Sequence, residues 1–197
     1  MLSRRKSRPL ERTEGTLRDA RLIVIASEGS VTEAIYFNLF RLSRVQVRCI
    51  PSMGGRSSPQ HVIDNLRSFR EEYEIGEGDE LWLAIDRDSW PVRRLSEIAA
   101  DCMREGFGLA VSVPSFEIWL ALHFDAPIPV PTTVSALTAH LKSEMGRYAK
   151  ATYPAETLLP RIDSARKKAR ALDSVPADRW PQEPGTRIYR IADQIRG

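Results

Sequence analysis

Short apolar runs alternate with amphipathic stretches over the first two thirds of the chain. Apolar runs bounded by polar or turn residues are typical of buried strands, and apolar residues spaced three or four apart indicate helices. The pattern predicts strands at 21–26, 45–50, 80–85 and 107–113. It predicts helices at 31–42, 59–74, 93–105 and 116–124. We therefore expect an α/β domain whose sheet is mainly parallel, roughly four-stranded and flanked by helices.

Prolines mark a boundary after the last of these helices, at Pro127, Pro129 and Pro131. Beyond that point the pattern is helical and contains no predicted strand, with helices at 134–145, 155–171 and 187–195. The chain is therefore expected to have three parts. These are a flexible basic arm over 1–20, an α/β domain over 21–125 and a helical C-terminal part over 126–197.

The composition is that of a globular protein with a mildly basic surface. The chain has 197 residues, of which 42% are hydrophobic, and a net charge of +3. Basic residues concentrate in 1–21 and 161–170, where either nucleic-acid contact or an ordinary solvated surface explains them. No apolar run approaches the roughly 20 residues of a membrane span, and no apolar segment follows the basic N-terminus. We therefore expect a cytoplasmic protein with no membrane partner.

Carboxylates directly follow two of the predicted strands. Glu28 comes after the first strand, and Asp86 and Asp88 come after the third. Because the carboxyl ends of parallel strands lie at one edge of a sheet, these side chains are expected to meet. A cluster of carboxylates without equal basic partners is stabilised by a hard divalent cation such as Mg²⁺ or Mn²⁺. Two such cations can activate a water and stabilise the leaving oxygen of a phosphodiester, although each acidic feature alone is also typical of a surface turn.

Two further glutamates are candidate metal ligands. Glu33 is predicted in the first turn of a helix, where a favourable interaction with the helix dipole is the alternative to metal ligation. Glu117 is predicted within a helix that is apolar almost all round. Because an unpaired buried carboxylate is costly, Glu117 is expected to face a cation or to pair with an arginine.

Four residues are candidate phosphate or nucleic-acid contacts, namely Arg56, Arg87, Ser112 and Lys150. Arg56 lies in a Gly/Ser-rich loop over 51–58, which is equally typical of a plain connection and does not match the Walker pattern. Lys150 lies beside Tyr148, and simple solvent exposure is the alternative to a phosphate contact there.

At these residues the sequence resembles two nested groups of proteins. Glu28-Gly29 followed by Asp86-Arg87-Asp88 is similar to the paired motifs of the Toprim (topoisomerase–primase) fold. A closer resemblance, over about residues 20–195, is to the RloB-like family. It is carried by Glu28–Phe37, Trp82–Asp88 and, most specifically, Ser112–Phe124. Val113 departs from this pattern, because the family commonly has asparagine there.

The resemblance implies a metal-dependent nuclease-like protein of restriction or phage-defence loci, related to the Toprim nucleases of the overcoming-lysogenization-defect family. It also implies an ATPase partner of the AAA or ABC type. We therefore expect hydrolysis of phosphodiester bonds with Mg²⁺ or Mn²⁺, DNA being favoured over RNA as the substrate. Two alternatives stay open: a non-catalytic subunit that binds nucleic acid or an ATPase, and a Toprim-type RNA-processing ribonuclease.

Overall fold

The computed structural model describes residues 6, 20–52, 58–87 and 90–197. Within them the chain forms a five-stranded sheet in the order β2-β1-β3-β4-β5. The strands are Arg21–Ser27, Val45–Pro51, Glu80–Asp86, Gly108–Val113 and Gly185–Thr186, numbered β1 to β5. The first four run parallel, and β5 is antiparallel to β4. The expected α/β class is thus confirmed, and the mostly parallel sheet flanked by helices is consistent with a Toprim-like fold.

Seven α-helices accompany the described strands. They are Thr32–Phe37, Pro59–Glu72, Val92–Glu105, Glu117–Ala121, Val134–Met145, Ile162–Leu172 and Ile188–Arg196, numbered α1 to α7. Before α6 the chain makes two 3₁₀ turns, Ala155–Thr157 and Leu159–Arg161, where a continuous helix was predicted. Pro160 lies in the second turn and has no N–H to donate to a helical hydrogen bond. No helix in the described part of the chain combines the length and apolar character needed to cross a membrane.

Helix α1 ends at Phe37, whereas the sequence pattern predicted a helix to residue 42. The chain tightens there, because the N–H groups of Leu39 and Phe40 donate to the carbonyls three residues earlier. This turn brings the Phe40 ring into the core, where it is almost completely buried. The shorter helix therefore reflects tertiary packing, which the local sequence pattern does not contain.

Both faces of the sheet are covered, which explains why β1 is apolar from Leu22 to Ala26. On one face, Val24 and Leu83 pack against α2, α3 and Trp180. On the other face, Ile23 and Ala110 pack against a cluster to which α1, α4, α5, α6 and α7 contribute. The helices of the C-terminal part thus share an apolar cluster with the strands that carry the site.

The strand β5 corrects the expectation that no strand lies beyond residue 126. It contains two residues, too few to show the alternation that identifies a strand in a sequence. Its position is fixed by pairing, since Ser112 lies opposite Thr186 and Val113 opposite Gly185.

A buried network holds the segment between α6 and β5. Arg187 donates from Nε and Nη2 to the two carboxylate oxygens of Asp173, both at 3.0 Å. The Tyr189 hydroxyl also donates to this carboxylate at 2.9 Å, and the Arg190 guanidinium lies 3.5 Å from it. We call these four residues the Asp173 network. Through this network the segment between α6 and β5, which contains Trp180, is held beside the sheet.

Candidate metal and phosphate site

The carboxyl edge of the parallel sheet carries a cleft of about 370 Å³. It is lined by five of the residues predicted from the sequence, namely Glu28, Glu33, Asp86, Glu117 and Lys150. We call it the acidic cleft, because four carboxylates and a single ammonium group line it. The strand-end argument therefore identified residues that the fold does bring together.

The pairing of β1 with β3 brings Glu28 and Asp86 together across a separation of 58 residues. The backbone N–H of Glu28 donates to the carbonyl of Ala84 at 3.0 Å, which continues the ladder beyond β1. The Glu28 carboxylate then accepts the backbone N–H of Asp86 on Oε2 at 3.1 Å. Its Oε1 accepts the indole N–H of Trp90 at 3.0 Å. These two donors fix the orientation of the Glu28 carboxylate beside Asp86.

The Glu33 carboxylate lies against the turn that follows β1. It accepts the N–H of Gly29 on Oε1 at 3.2 Å. A Cβ atom at Gly29 would sit 1.9 Å from Glu33 Oε2, so only glycine allows this approach. Val31 is the N-cap of α1, and no side chain caps the helix there.

Burial is the main reason why the pKa of Glu33 is raised to about 7, and the negative charge of Glu117 acts in the same direction. Its backbone hydrogen bonds and the ammonium of Lys150 oppose the rise without cancelling it. The acidic cleft therefore already disfavours negative charge, before any anionic substrate enters.

Glu117 is 2% exposed, and protein donors compensate its burial. Its carboxylate accepts the Ser115 hydroxyl at 2.6 Å and the Tyr148 hydroxyl at 3.1 Å. The Lys150 ammonium lies 3.5 Å from Glu117 Oε1. The basic partner is thus a lysine, whereas the two alternatives predicted from the sequence were a cation and an arginine.

Lys150 projects from a short loop over 148–153, which we call the lysine loop. Its side chain is 68% exposed and lies at the mouth of the acidic cleft. Partial burial disfavours the charged form, but the carboxylates of Glu117, Asp86 and Glu33 outweigh it and raise the pKa of Lys150. The side chain therefore carries its positive charge at neutral pH, as a phosphate contact requires.

Two of the predicted phosphate contacts lie outside the acidic cleft. The Ser112 side chain is fully buried, and its hydroxyl lies 2.8 Å from that of Thr186, so that it links β4 with β5. Arg87 donates from Nη1 to the carbonyl of Gln182 at 3.0 Å. The structure therefore gives both residues a contact with the C-terminal part of the chain.

The donor chemistry of the acidic cleft fits a hard divalent cation. Its lining offers carboxylate oxygens and includes no histidine or cysteine, which is the ligand set that Mg²⁺ and Mn²⁺ favour. Within the described ranges, no three acidic, histidine or cysteine side chains already form a metal-binding group. The predicted ligand Asp88 and the predicted phosphate contact Arg56 lie outside the described residues.

Three residues at the site were missed by sequence reasoning: Thr32, Trp90 and Tyr153. Thr32 lies within the Glu28–Phe37 stretch that carries the family resemblance, so its position could have been noticed. Trp90 follows the acidic stretch closely, but an indole gives no local sign of its partner. Tyr153 bonds a residue 121 positions away and has no sequence signal.

Comparison with known proteins places the chain in a family without naming a function for it. The family model described as RloB-like protein matches residues 23–195. No curated protein and no solved structure matched the chain. The family match includes every residue of the acidic cleft and of the lysine loop.

Proposed function

We propose that this chain, which belongs to the RloB-like protein family, is a divalent-metal-dependent nuclease that cleaves phosphodiester bonds in the cytoplasm. The observation that carries the proposal is the acidic cleft, where four carboxylates meet at the carboxyl edge of the sheet with one lysine. Ligand sites of open α/β sheets lie at this edge. DNA is the favoured substrate.

The metal would be Mg²⁺ or Mn²⁺, held by Glu28 and Asp86. Asp88 follows Asp86 by two residues and is proposed as a further ligand. When bound, the cation supplies charge stabilisation at the phosphate and activates a water molecule. The four carboxylates that line the cleft would repel a phosphodiester, and such a cation would offset this repulsion.

The protein's own groups orient and neutralise the reacting parts. The indole of Trp90 and the backbone N–H of Asp86 hold the Glu28 carboxylate in one orientation. The ammonium of Lys150 is available to bind a non-bridging phosphate oxygen at the mouth of the cleft. Glu117 anchors that ammonium from inside the cleft.

Thermal unfolding tests the metal site directly. The midpoint is measured in EDTA and then with millimolar Mg²⁺ or Mn²⁺, for wild type and Asp86→Ala. A ligand at about 100 times its dissociation constant adds roughly 2.7 kcal/mol of stability, which shifts the midpoint visibly. We expect the shift in wild type and its loss in Asp86→Ala.

The matched control for that experiment is Asp125→Ala, because Asp125 is exposed and does not line the cleft. It should keep the metal shift. Wild type that shows no metal shift, and no cleavage of labelled DNA or structured RNA with either cation, contradicts the proposal. Cleavage of RNA alone would favour an RNA-processing ribonuclease.

A non-catalytic subunit is the second candidate function. The observation that favours it is that protein donors already hold the carboxylates of Glu28 and Glu117, as expected of acids with a structural role. Such a subunit would bind DNA or an ATPase equally well in EDTA and in Mg²⁺. A binding assay under both conditions therefore separates the two candidates.

A role in antiphage defence with an AAA- or ABC-type ATPase partner belongs to the same proposal and is supported by family membership alone. Phage plating efficiency on cells that carry the chain with and without a neighbouring ATPase gene tests it. Equal plating with wild type and Asp86→Ala would contradict the defence role.

A further inference from the structure

The lysine loop is fastened to the acidic cleft at three points. The Tyr148 hydroxyl donates to Glu117 Oε1 at 3.1 Å. Thr32 Oγ1 donates to the carbonyl of Lys150 itself at 3.0 Å. The Tyr153 hydroxyl donates to the carbonyl of Thr32 at 2.8 Å. Because the contacts join residues 31, 118 and 121 positions apart, they hold a distant segment of the chain at the cleft.

The side chains that make these three hydrogen bonds are buried, whereas the Lys150 side chain is exposed. Thr32, Tyr148 and Tyr153 are each at most 7% exposed. The Lys150 side chain remains 68% exposed. A lysine side chain loses considerable rotamer freedom when it is held in one place. Here the position of its Cα is fixed by buried contacts, so only the side chain itself has to be ordered.

The lysine loop is also closed on itself. Ala149 and Thr152 exchange backbone hydrogen bonds, at 3.1 Å from the Ala149 N–H and 2.8 Å from the Thr152 N–H. Lys150 therefore lies at the tip of a two-residue turn. The rings of Tyr148 and Tyr153 pack against each other beneath this turn, with centroids 5.6 Å apart. The tip cannot move without disturbing at least one of these contacts.

Thr32 connects the lysine loop with the acidic side of the cleft. It is the residue directly before Glu33, and it uses both its hydroxyl and its carbonyl for the loop. These two hydrogen bonds join the first turn of α1 to the lysine loop.

We propose that Thr32, Tyr148 and Tyr153 are positioning residues that hold the Lys150 ammonium over the acidic cleft, where it meets a phosphodiester oxyanion. The proposal rests on the proposed function for the identity of the anion. The placement of the ammonium is a separate claim, which can be tested without any catalytic activity.

The placement is tested by nuclear magnetic resonance of the protein after reductive methylation with ¹³C-formaldehyde. The chain has five lysines, so the dimethyl-lysine signals are few and Lys150→Arg assigns the one of interest. The key pair of variants is Thr32→Val, which removes the hydroxyl at nearly constant volume, and Thr32→Ser, which keeps it. We expect Thr32→Val to move the Lys150 signal towards the shift and narrow width of the exposed lysines, and Thr32→Ser to leave it in place.

Tyr148→Phe and Tyr153→Phe should move the same signal. Tyr73→Phe is their control, because Tyr73 lies at the end of α2 and does not line the cleft. Thermal midpoints confirm that every variant is folded. A Lys150 signal that stays unchanged in folded Thr32→Val, Tyr148→Phe and Tyr153→Phe overturns the positioning role.

Cleavage kinetics of the unmethylated proteins give the functional readout. We expect Thr32→Val to lower kcat/KM about tenfold, and Thr32→Ser to restore it, while the metal-induced shift of the thermal midpoint is unchanged in both. If the variants move the Lys150 signal but the wild-type protein does not cleave, the positioning role is supported and the proposed function is overturned. Unchanged kcat/KM in Thr32→Val with active wild type overturns the link between positioning and phosphate binding.

Discussion

Two regions of the molecule bury carboxylates, and they neutralise them to different degrees. Asp173 is 3% exposed and accepts hydrogen bonds from the guanidinium of Arg187 and the hydroxyl of Tyr189. In the acidic cleft, Glu33 and Glu117 are equally well buried. They share one lysine with two further carboxylates. The first region is electrically balanced, and the second is not.

The pKa values show the consequence of this difference. Burial alone would raise the pKa of Asp173, but the hydrogen bonds from Arg187 and Tyr189, together with the charges of Arg187 and Arg190, outweigh burial and lower it. The burial of Glu33 is not outweighed, and its pKa rises to about 7. A balanced carboxylate stabilises the fold, whereas an unbalanced one costs stability and marks a candidate functional site.

The largest expected effect comes from removing a carboxylate on the unbalanced side. Glu28→Ala should abolish cleavage, with a loss on the order of 10³-fold or more, because it removes an oriented ligand of the proposed metal. The rate is measured on labelled DNA with Mn²⁺, and circular dichroism checks the fold. Glu77→Ala is the control, since this exposed glutamate lies before β3, at the opposite edge of the sheet. Retained activity in pure Glu28→Ala protein would refute the assignment.

On the balanced side, Asp173→Asn should cost about 3–5 kcal/mol of unfolding free energy, because it leaves the buried Arg187 guanidinium without its charged partner. Urea denaturation measures the loss. Glu97→Gln breaks exposed ion pairs with Arg93 and Arg94 and should cost less than about 1 kcal/mol. Equal losses in the two variants would show that the Asp173 network is no more important than surface charge.

Glu33→Gln should instead raise the free energy of unfolding, by about 3 kcal/mol at pH 8. The pKa of the Glu33 carboxyl group is 4.5 in the unfolded chain and about 7 in the folded protein. The free energy of unfolding therefore falls as the pH rises from 4.5 to about 7, and it does not fall further above that pH. Glutamine removes the charge and can still accept the Gly29 N–H. The gain should therefore be present at pH 8 and absent near pH 4, as two urea titrations can show. A loss of stability at pH 8 would mean that Glu33 is balanced like Asp173.

The smallest expected effect is that of Ser112→Ala, which removes the side-chain link between β4 and β5. It should cost about 1 kcal/mol, the usual net contribution of one hydrogen bond. Cleavage should be unchanged, because Ser112 does not line the acidic cleft. A loss of activity without a loss of stability would indicate that Ser112 contacts the substrate.

The parts of the fold and site that have local sequence signals were predictable. Long apolar runs identified the parallel strands, and carboxylates at their ends identified Glu28 and Asp86. The cost of burial identified Glu117 as a residue in need of a partner. The strand β5 and the contact of Tyr153 with Thr32 depend on pairing with distant segments, and no local pattern encodes them.

Charge clusters were less informative than strand ends. The run over 161–170 suggested a nucleic-acid surface, but much of its charge is paired within the protein. Arg166 and Arg170 both bond the Asp193 carboxylate. Lys168 donates to the carbonyl of Phe124 at 2.6 Å. A basic sequence therefore became part of the packing between α6 and its neighbours, which composition alone does not reveal.

The lysine loop has a consequence for protein synthesis. All four carboxylates of the acidic cleft lie before residue 118, whereas Lys150 and the contacts that place it come later in the chain. Chains are made from the N-terminus at roughly 5–20 residues per second, and early segments begin to fold first. A nascent chain that ends at residue 125 therefore carries the acids without the cation that faces them. The site is complete only after the lysine loop, residues 148–153, has also been made.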